Sequence, residues 1–162
     1  VVDSTGGQGR RLHINLYQTV IERVASSLAQ AHAGDPVNPE ELRYTEEHEW
    51  ARPEGQRLTV GITDYAQDSL GDVVYIDLPA NGTRVEQGQP FGEVESTKSV
   101  SDLYAPVSGT IVERNETLES QPELVNTDPY GQGWMVVIEA DEGATTEGLL
   151  SAAEYDKLIE SS

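Results

Sequence analysis

Phe91-Gly92-Glu93-Val94-Glu95-Ser96-Thr97-Lys98-Ser99-Val100-Ser101-Asp102-Leu103-Tyr104-Ala105-Pro106 decides how this chain is read. Two β-prone runs, 91–95 and 100–104, flank the polar residues 96–99. That pattern predicts a β-hairpin with Lys98 at its tip. The chain has only two lysines, and otherwise uses arginine. Lys157 falls in a predicted C-terminal helix, where a cation near the helix end is favoured electrostatically. A lone lysine at an exposed turn is either a solvated surface residue or a place where an amine is needed. An amine can be acylated; a guanidinium is always protonated and a poor substitute.

The hairpin lies between two copies of a short pattern. Residues 79–86 (Pro-Ala-Asn-Gly-Thr-Arg-Val-Glu) align with 106–113 (Pro-Val-Ser-Gly-Thr-Ile-Val-Glu) at an offset of 27, with five of eight positions identical. Fixed-period similarity is a signature of duplicated units, here two half-domains about a quasi-twofold axis. Further out, strands are predicted at 58–62, 73–78, 83–86, 91–95, 100–104, 109–114 and 134–138. Short strands between frequent turns imply a mainly β sandwich or small barrel. Asp64 with Gln67 marks the start of a brief helix that Gly71 can end. Ser151 with Glu154 is a capping box opening a C-terminal helix to about residue 159.

Composition narrows the chemistry. The chain has 162 residues, no cysteine and a net charge of −19. That excludes disulfides, cysteine-ligated metals and a cysteine nucleophile, so any sulfur chemistry must come from an attached group. The negative field makes nucleic acid and anionic membranes poor partners. No apolar run has a membrane-spanning length, and no signal peptide is expected. Residues 1–39 balance three basic against three acidic side chains, so the whole −19 falls on residues 40–162. The shift coincides with Gly34-Asp35-Pro36-Val37-Asn38-Pro39, which predicts a boundary: an extension over 1–40 and a domain over 41–162. Leu12, Leu16, Val20, Val24 and Leu28 form one face of a predicted helix in the extension, which by itself names no partner. Of the three histidines only His48 lies in the acidic domain, where a structural role is favoured over a metal site.

Glu95-Ser96-Thr97-Lys98-Ser99-Val100-Ser101-Asp102 resembles the lipoylation hairpin of the glycine cleavage system H protein family. Three more stretches resemble that family in order: Tyr44-Thr45-Glu46-Glu47-His48-Glu49-Trp50, residues 61–74 from Gly61-Ile62-Thr63-Asp64, and residues 124–134 from Leu124-Val125-Asn126. The resemblance spans 42–160. Biotin domains usually carry methionines beside the lysine; Thr97 and Ser99 stand there instead.

The resemblance implies a lipoyl/biotinyl-type flattened barrel-sandwich hybrid with short helices and a C-terminal helix. It implies a carrier rather than an enzyme, with lipoate joined to Lys98 as N6-lipoyl-lysine. The arm would take an aminomethyl group from the glycine-decarboxylating P protein, hand it to the aminomethyltransferase T protein, and be reoxidised by the dihydrolipoamide dehydrogenase L protein. Lipoate-attaching enzymes are implied as further partners. By motif position Glu49 and Asp102 are the acids of a cleft for the loaded arm, with Glu47 and Ser69 beside them, and Glu95 belongs to the cofactor-binding set. Two other uses stay open: a donor passing octanoyl or lipoyl groups to other lipoyl domains, and a non-lipoylated scaffold. A bacterial cytoplasm is expected, a mitochondrial matrix being the alternative.

Overall fold

The computed structural model describes residues 38–161. The predicted amphipathic helix of the extension lies outside the described residues. Within them the order is β1 (Arg43–Tyr44), β2 (Glu49–Glu54), β3 (Arg57–Ile62), α1 (Asp64–Leu70), β4 (Val73–Asp77), β5 (Arg84–Val85), β6 (Pro90–Ser96), β7 (Val100–Tyr104), β8 (Gly109–Arg114), α2 (Thr117–Ser120), α3 (Leu124–Thr127), β9 (Val136–Ala140) and α4 (Ala152–Glu160). One sheet of six strands runs β1-β2-β3-β9-β8-β5, and a second of three runs β4-β6-β7. All pairs are antiparallel.

Each sheet buries one face. Leu58, Val60, Val85, Ala105, Val107, Ile111, Val136 and Ile138 form one core cluster. Ile62, Val73, Ile76, Val94, Leu103, Leu118, Val125 and Met135 form a second, beneath the three-stranded sheet and the short helices. Alternation explains the pattern on β6, where Val94 and Ser96 are buried while Glu93 and Glu95 are exposed. A third cluster joins Leu42, Tyr44 and Trp50 to Ala152 and Tyr155, so the C-terminal helix docks on the first strands. The predicted capping box at Ser151 and Glu154 opens that helix.

The duplicated segments meet. β5 pairs with β8 at Arg84↔Thr110 and Val85↔Gly109. Moved by the 27-residue offset, Arg84↔Thr110 becomes Ile111↔Thr83, and Ile111 N–H donates to the Thr83 carbonyl at 2.8 Å. The pairing is thus its own image under the repeat. Gly109 has a local reason: a β-carbon there would run into the Glu139 carbonyl of β9.

Some expectations shift. β1 and β2 were not predicted, because Arg43–Tyr44 is too short to show a pattern and β2 contains Arg52, Pro53 and Glu54. The cap of α1 is Thr63 rather than Asp64: the Thr63 hydroxyl accepts from Ala66 N–H, while Asp64 accepts from the Gln67 side chain. Strand β9 spans Val136–Ala140 rather than 134–138; Trp134 belongs to the turn before it, its N–H donating to the Gly131 carbonyl and its carbonyl accepting from the Asn115 side chain.

Candidate functional site

Lys98 stands at the exposed tip of the β6–β7 hairpin, as predicted. The tip is held from inside. The buried Ser96 hydroxyl accepts from Ser99 N–H at 3.1 Å and Lys98 N–H at 3.3 Å. Ser96 N–H closes the turn on the Ser99 carbonyl at 2.8 Å, and Thr97 N–H donates to the Asp72 carbonyl at 3.0 Å. That last bond ties the tip to the turn after α1. Asn126 secures the same turn: its amide donates to the Gly71 carbonyl and Gln67, and its oxygen accepts from Val73 N–H. The lysine therefore projects from a fixed backbone platform while its amine stays in solvent.

Beside this platform a cleft of about 330 Å³ opens between α1 and β7. Ile62, Leu70, Val94 and Leu103 give it apolar walls, and Glu47, Glu49 and Asp102 give it acids. Ser69 and Leu70, at the end of α1, carry its edge to Gly71, over which the Lys98 stem lies. The structure thus brings together Glu49, Asp102, Glu47 and Ser69. Glu95 stands apart: it is exposed on the outer face of β6, in one cross-strand row between Tyr75 and Val100, and does not line the cleft.

The two central acids differ electrostatically. Asp102 is exposed, opposite Glu93. Glu49 is 1% exposed. Burial pushes its carboxyl up to about 8, against hydrogen bonds from the Thr45 hydroxyl and the Tyr104 backbone that favour the ion. Burial therefore favours the protonated form of Glu49 near neutral pH, and a cation placed beside it would favour ionisation. His48, also in the wall, is held below the ordinary histidine range by burial, opposed by Glu47. Its backbone adopts φ +74°, uncommon for a residue other than glycine.

The four motifs read in the sequence converge here. Trp50 N–H donates to the Pro129 carbonyl at 3.0 Å, joining the first motif to the last. The Trp50 ring covers Gly61, where a β-carbon would meet it at 2.7 Å. Sequence reasoning missed Asn126 and Tyr155 as supports of the site. Asn126 lay inside a quoted motif, but nothing local distinguishes an asparagine that bonds across 55 residues from one that caps a turn.

The glycine cleavage H-protein family model matches residues 42–162. The chain belongs to this family. It is 52% identical over 121 residues to the glycine cleavage system H protein of Geobacillus kaustophilus, spanning 75% of this chain and 95% of that one. It is 53% identical to that of Halalkalibacterium halodurans over 121 residues, 75% of this chain and 94% of the relative. The crystal structure of a glycine cleavage system H protein from Mycobacterium marinum superposes with a TM-score of 0.70 at 41% identity, covering 76% of this chain and 99% of that one. The mainly β, two-sheet fold with a C-terminal helix is that of the H-protein family. H proteins are the lipoate-carrying shuttles of the glycine cleavage system, carriers rather than catalysts. Family membership favours that role over a lipoyl donor or a bare scaffold. Among the described residues no helix is long and apolar enough to cross a membrane.

Proposed function

We propose that Lys98 carries lipoate through an amide on its ε-nitrogen, and that the loaded end of the arm rests in the cleft against Glu49 and Asp102. The observation that carries this reading is the continuity between the Gly71 platform beneath Lys98 and the acid-lined cleft beside it. When bound, the lipoyl dithiolane supplies the sulfur chemistry that a cysteine-free chain lacks.

The chain's own residues do the rest. Ser96 and the Asp72 carbonyl present the lysine at a fixed point, so one arm can visit several enzymes at high effective concentration. Ile62, Leu70, Val94 and Leu103 exclude water from one side of the resting arm. Asp102 offers a charge-assisted hydrogen bond to a terminal ammonium from the cleft mouth, and Glu49 offers one from within once a cation ionises it. Glu95 belongs to the surface around the attachment point. The partners in this reading are the P, T and L proteins and a lipoate-attaching enzyme. The bacterial sources of the relatives favour the cytoplasm over a mitochondrial matrix. The division into an extension over 1–40 and a carrier domain over 41–162 is part of the same reading.

The test is the intact mass of the chain after incubation with lipoate, ATP and a lipoate–protein ligase. A lipoyl adduct is expected on the wild type and none on Lys98→Arg. An adduct retained by Lys98→Arg would overturn the attachment point. The lipoylated wild type is then expected to support glycine decarboxylation with P and T proteins.

A further inference from the structure

Tyr155 of α4 is fully buried, and its hydroxyl is used twice. It lies 2.7 Å from His48 Nδ1 and 2.7 Å from Thr63 Oγ1. Both partners bound the cleft: His48 lines it beside Glu49, and Thr63 caps α1, whose Tyr65, Ala66, Ser69 and Leu70 make the opposite wall. The backbone already joins these walls, since Thr63 N–H donates to the His48 carbonyl at 3.0 Å. The hydroxyl therefore adds something else, the orientation of the His48 ring.

Three contacts define that ring. Its Nδ1 is bonded to Tyr155, the Tyr155 ring meets it edge-on with centroids 5.7 Å apart, and Tyr65 lies against it at 4.9 Å with a 36° tilt. Thr63 Oγ1 accepts from Ala66 N–H, which leaves its own proton for Tyr155, and the Tyr155 proton for His48 Nδ1. In the opposite direction the chain of donors runs from His48 through Tyr155 to Thr63. Either way one ring nitrogen is pinned. Burial lowers the proton affinity of the imidazole, against the pull of Glu47, which disfavours a second cation where a cation is to bind.

We propose that Tyr155 is a positioning residue of the cleft: it holds the His48 ring against Tyr65, and the ring pair forms an aromatic wall that receives the cationic end of the arm beside Glu49. This rests on the cleft reading given above. An ammonium is attracted to aromatic faces as well as to carboxylates, and the pair lies on the same cleft as Glu47, Glu49 and Asp102. The helix that ends the described fold thereby acts on a site to which it contributes no lining residue.

The experiment uses the unlipoylated full chain and butylammonium as a probe, titrated while the backbone amides of Ser69, Leu70 and Ser101 are followed by NMR. Wild type is expected to bind saturably. Tyr155→Phe keeps the ring and removes the hydroxyl; it is expected to weaken binding about fivefold and to turn the His48 ring nitrogens from fixed-tautomer shifts to exchange-averaged ones. Tyr44→Phe is the control. It removes another buried hydroxyl, bonded to the Pro39 carbonyl at 2.6 Å, from the ring stacked on Tyr155 at 4.8 Å. It is expected to leave binding unchanged. No binding by wild type would overturn the cleft reading and this proposal with it. Wild-type binding matched by Tyr155→Phe, or weakened equally by Tyr44→Phe, would overturn the positioning role alone.

Discussion

The methylene stem of Lys98 lies across Gly71: a β-carbon on Gly71 would stand 3.4 Å from Lys98 Cε and 3.9 Å from its Nζ. Gly71 has φ +80° and ψ −159°, a region that residues with a side chain hardly enter. Space above Gly71 is sufficient for a methyl group, so backbone strain sets the cost. Gly71→Ala is expected to cost about 1–3 kcal/mol in denaturant unfolding. Because Asp72 anchors Thr97, the same change is expected to slow lipoylation of Lys98 by a ligase, measured as intact mass against time.

Lys98→Arg separates attachment from folding. The side chain is exposed and makes no ion pair among the described residues. Thermal unfolding should therefore change by less than ~0.5 kcal/mol, while glycine decarboxylation coupled through the carrier is lost. Recovered coupling by the purified variant would remove Lys98 from its role.

The parts legible in the sequence are those whose causes are local. The hairpin showed because two alternating runs bracket a polar turn, and the capping box at Ser151 because both partners lie within four residues. The 27-residue repeat showed in the sequence, but the pairing of its two copies with each other is a tertiary feature that it did not reveal. The cleft acids came from motif position alone; nothing near Glu49 in sequence reveals that it will be buried, on a cleft it shares with Ile62, Val94 and Leu103. The raised proton affinity of Glu49 is a tertiary effect, and so is the pinning of His48 by Tyr155, 107 residues away.

The start of the domain can be probed in the same terms. The Asn38 side chain bonds to Asp156 and accepts from the Tyr130 hydroxyl at 3.1 Å, and the Pro39 carbonyl accepts from Tyr44. A chain beginning at Glu40 loses all three bonds and strands the Tyr44 hydroxyl, which is bonded at 2.6 Å in the structure, in the core. We expect it to be less stable than a chain beginning at Asn38 by about 2–3 kcal/mol, read from urea midpoints. Equal midpoints would show that these bonds exchange for water without cost.

Glu49 is expected to lower stability in return for its place in the cleft. Its carboxyl ionises near pH 4.5 when exposed and near 8 in the fold. Between those values the unfolded chain holds fewer protons than the folded one, so stability falls as pH rises. Glu49→Gln removes that linkage. The variant should gain on wild type progressively from about pH 5 to 8, by about 1.4 kcal/mol for each pH unit crossed and a few kcal/mol in all. Parallel stability curves for the two proteins across that range would show that burial does not raise the proton affinity of Glu49.

The acids should act on the loaded arm and not on its attachment. An arm without a charged end gains little from a carboxylate. An ammonium on the arm gains about 1.5–3 kcal/mol from each charge-assisted bond. Glu49→Gln with Asp102→Asn should therefore leave lipoylation of Lys98 unchanged, and speed the loss of ammonia from the isolated loaded carrier in the absence of T protein. The single variants divide the effect. Asp102 is exposed, so added salt should mimic Asp102→Asn. Glu49 is buried and should feel salt weakly, yet its protection should fade below pH 8, where returning its proton competes with the arm. A loss rate unchanged in the double variant would return both carboxylates to the solvated acidic surface. A rate raised only in Asp102→Asn would leave Glu49 as a buried acid with no part in holding the arm.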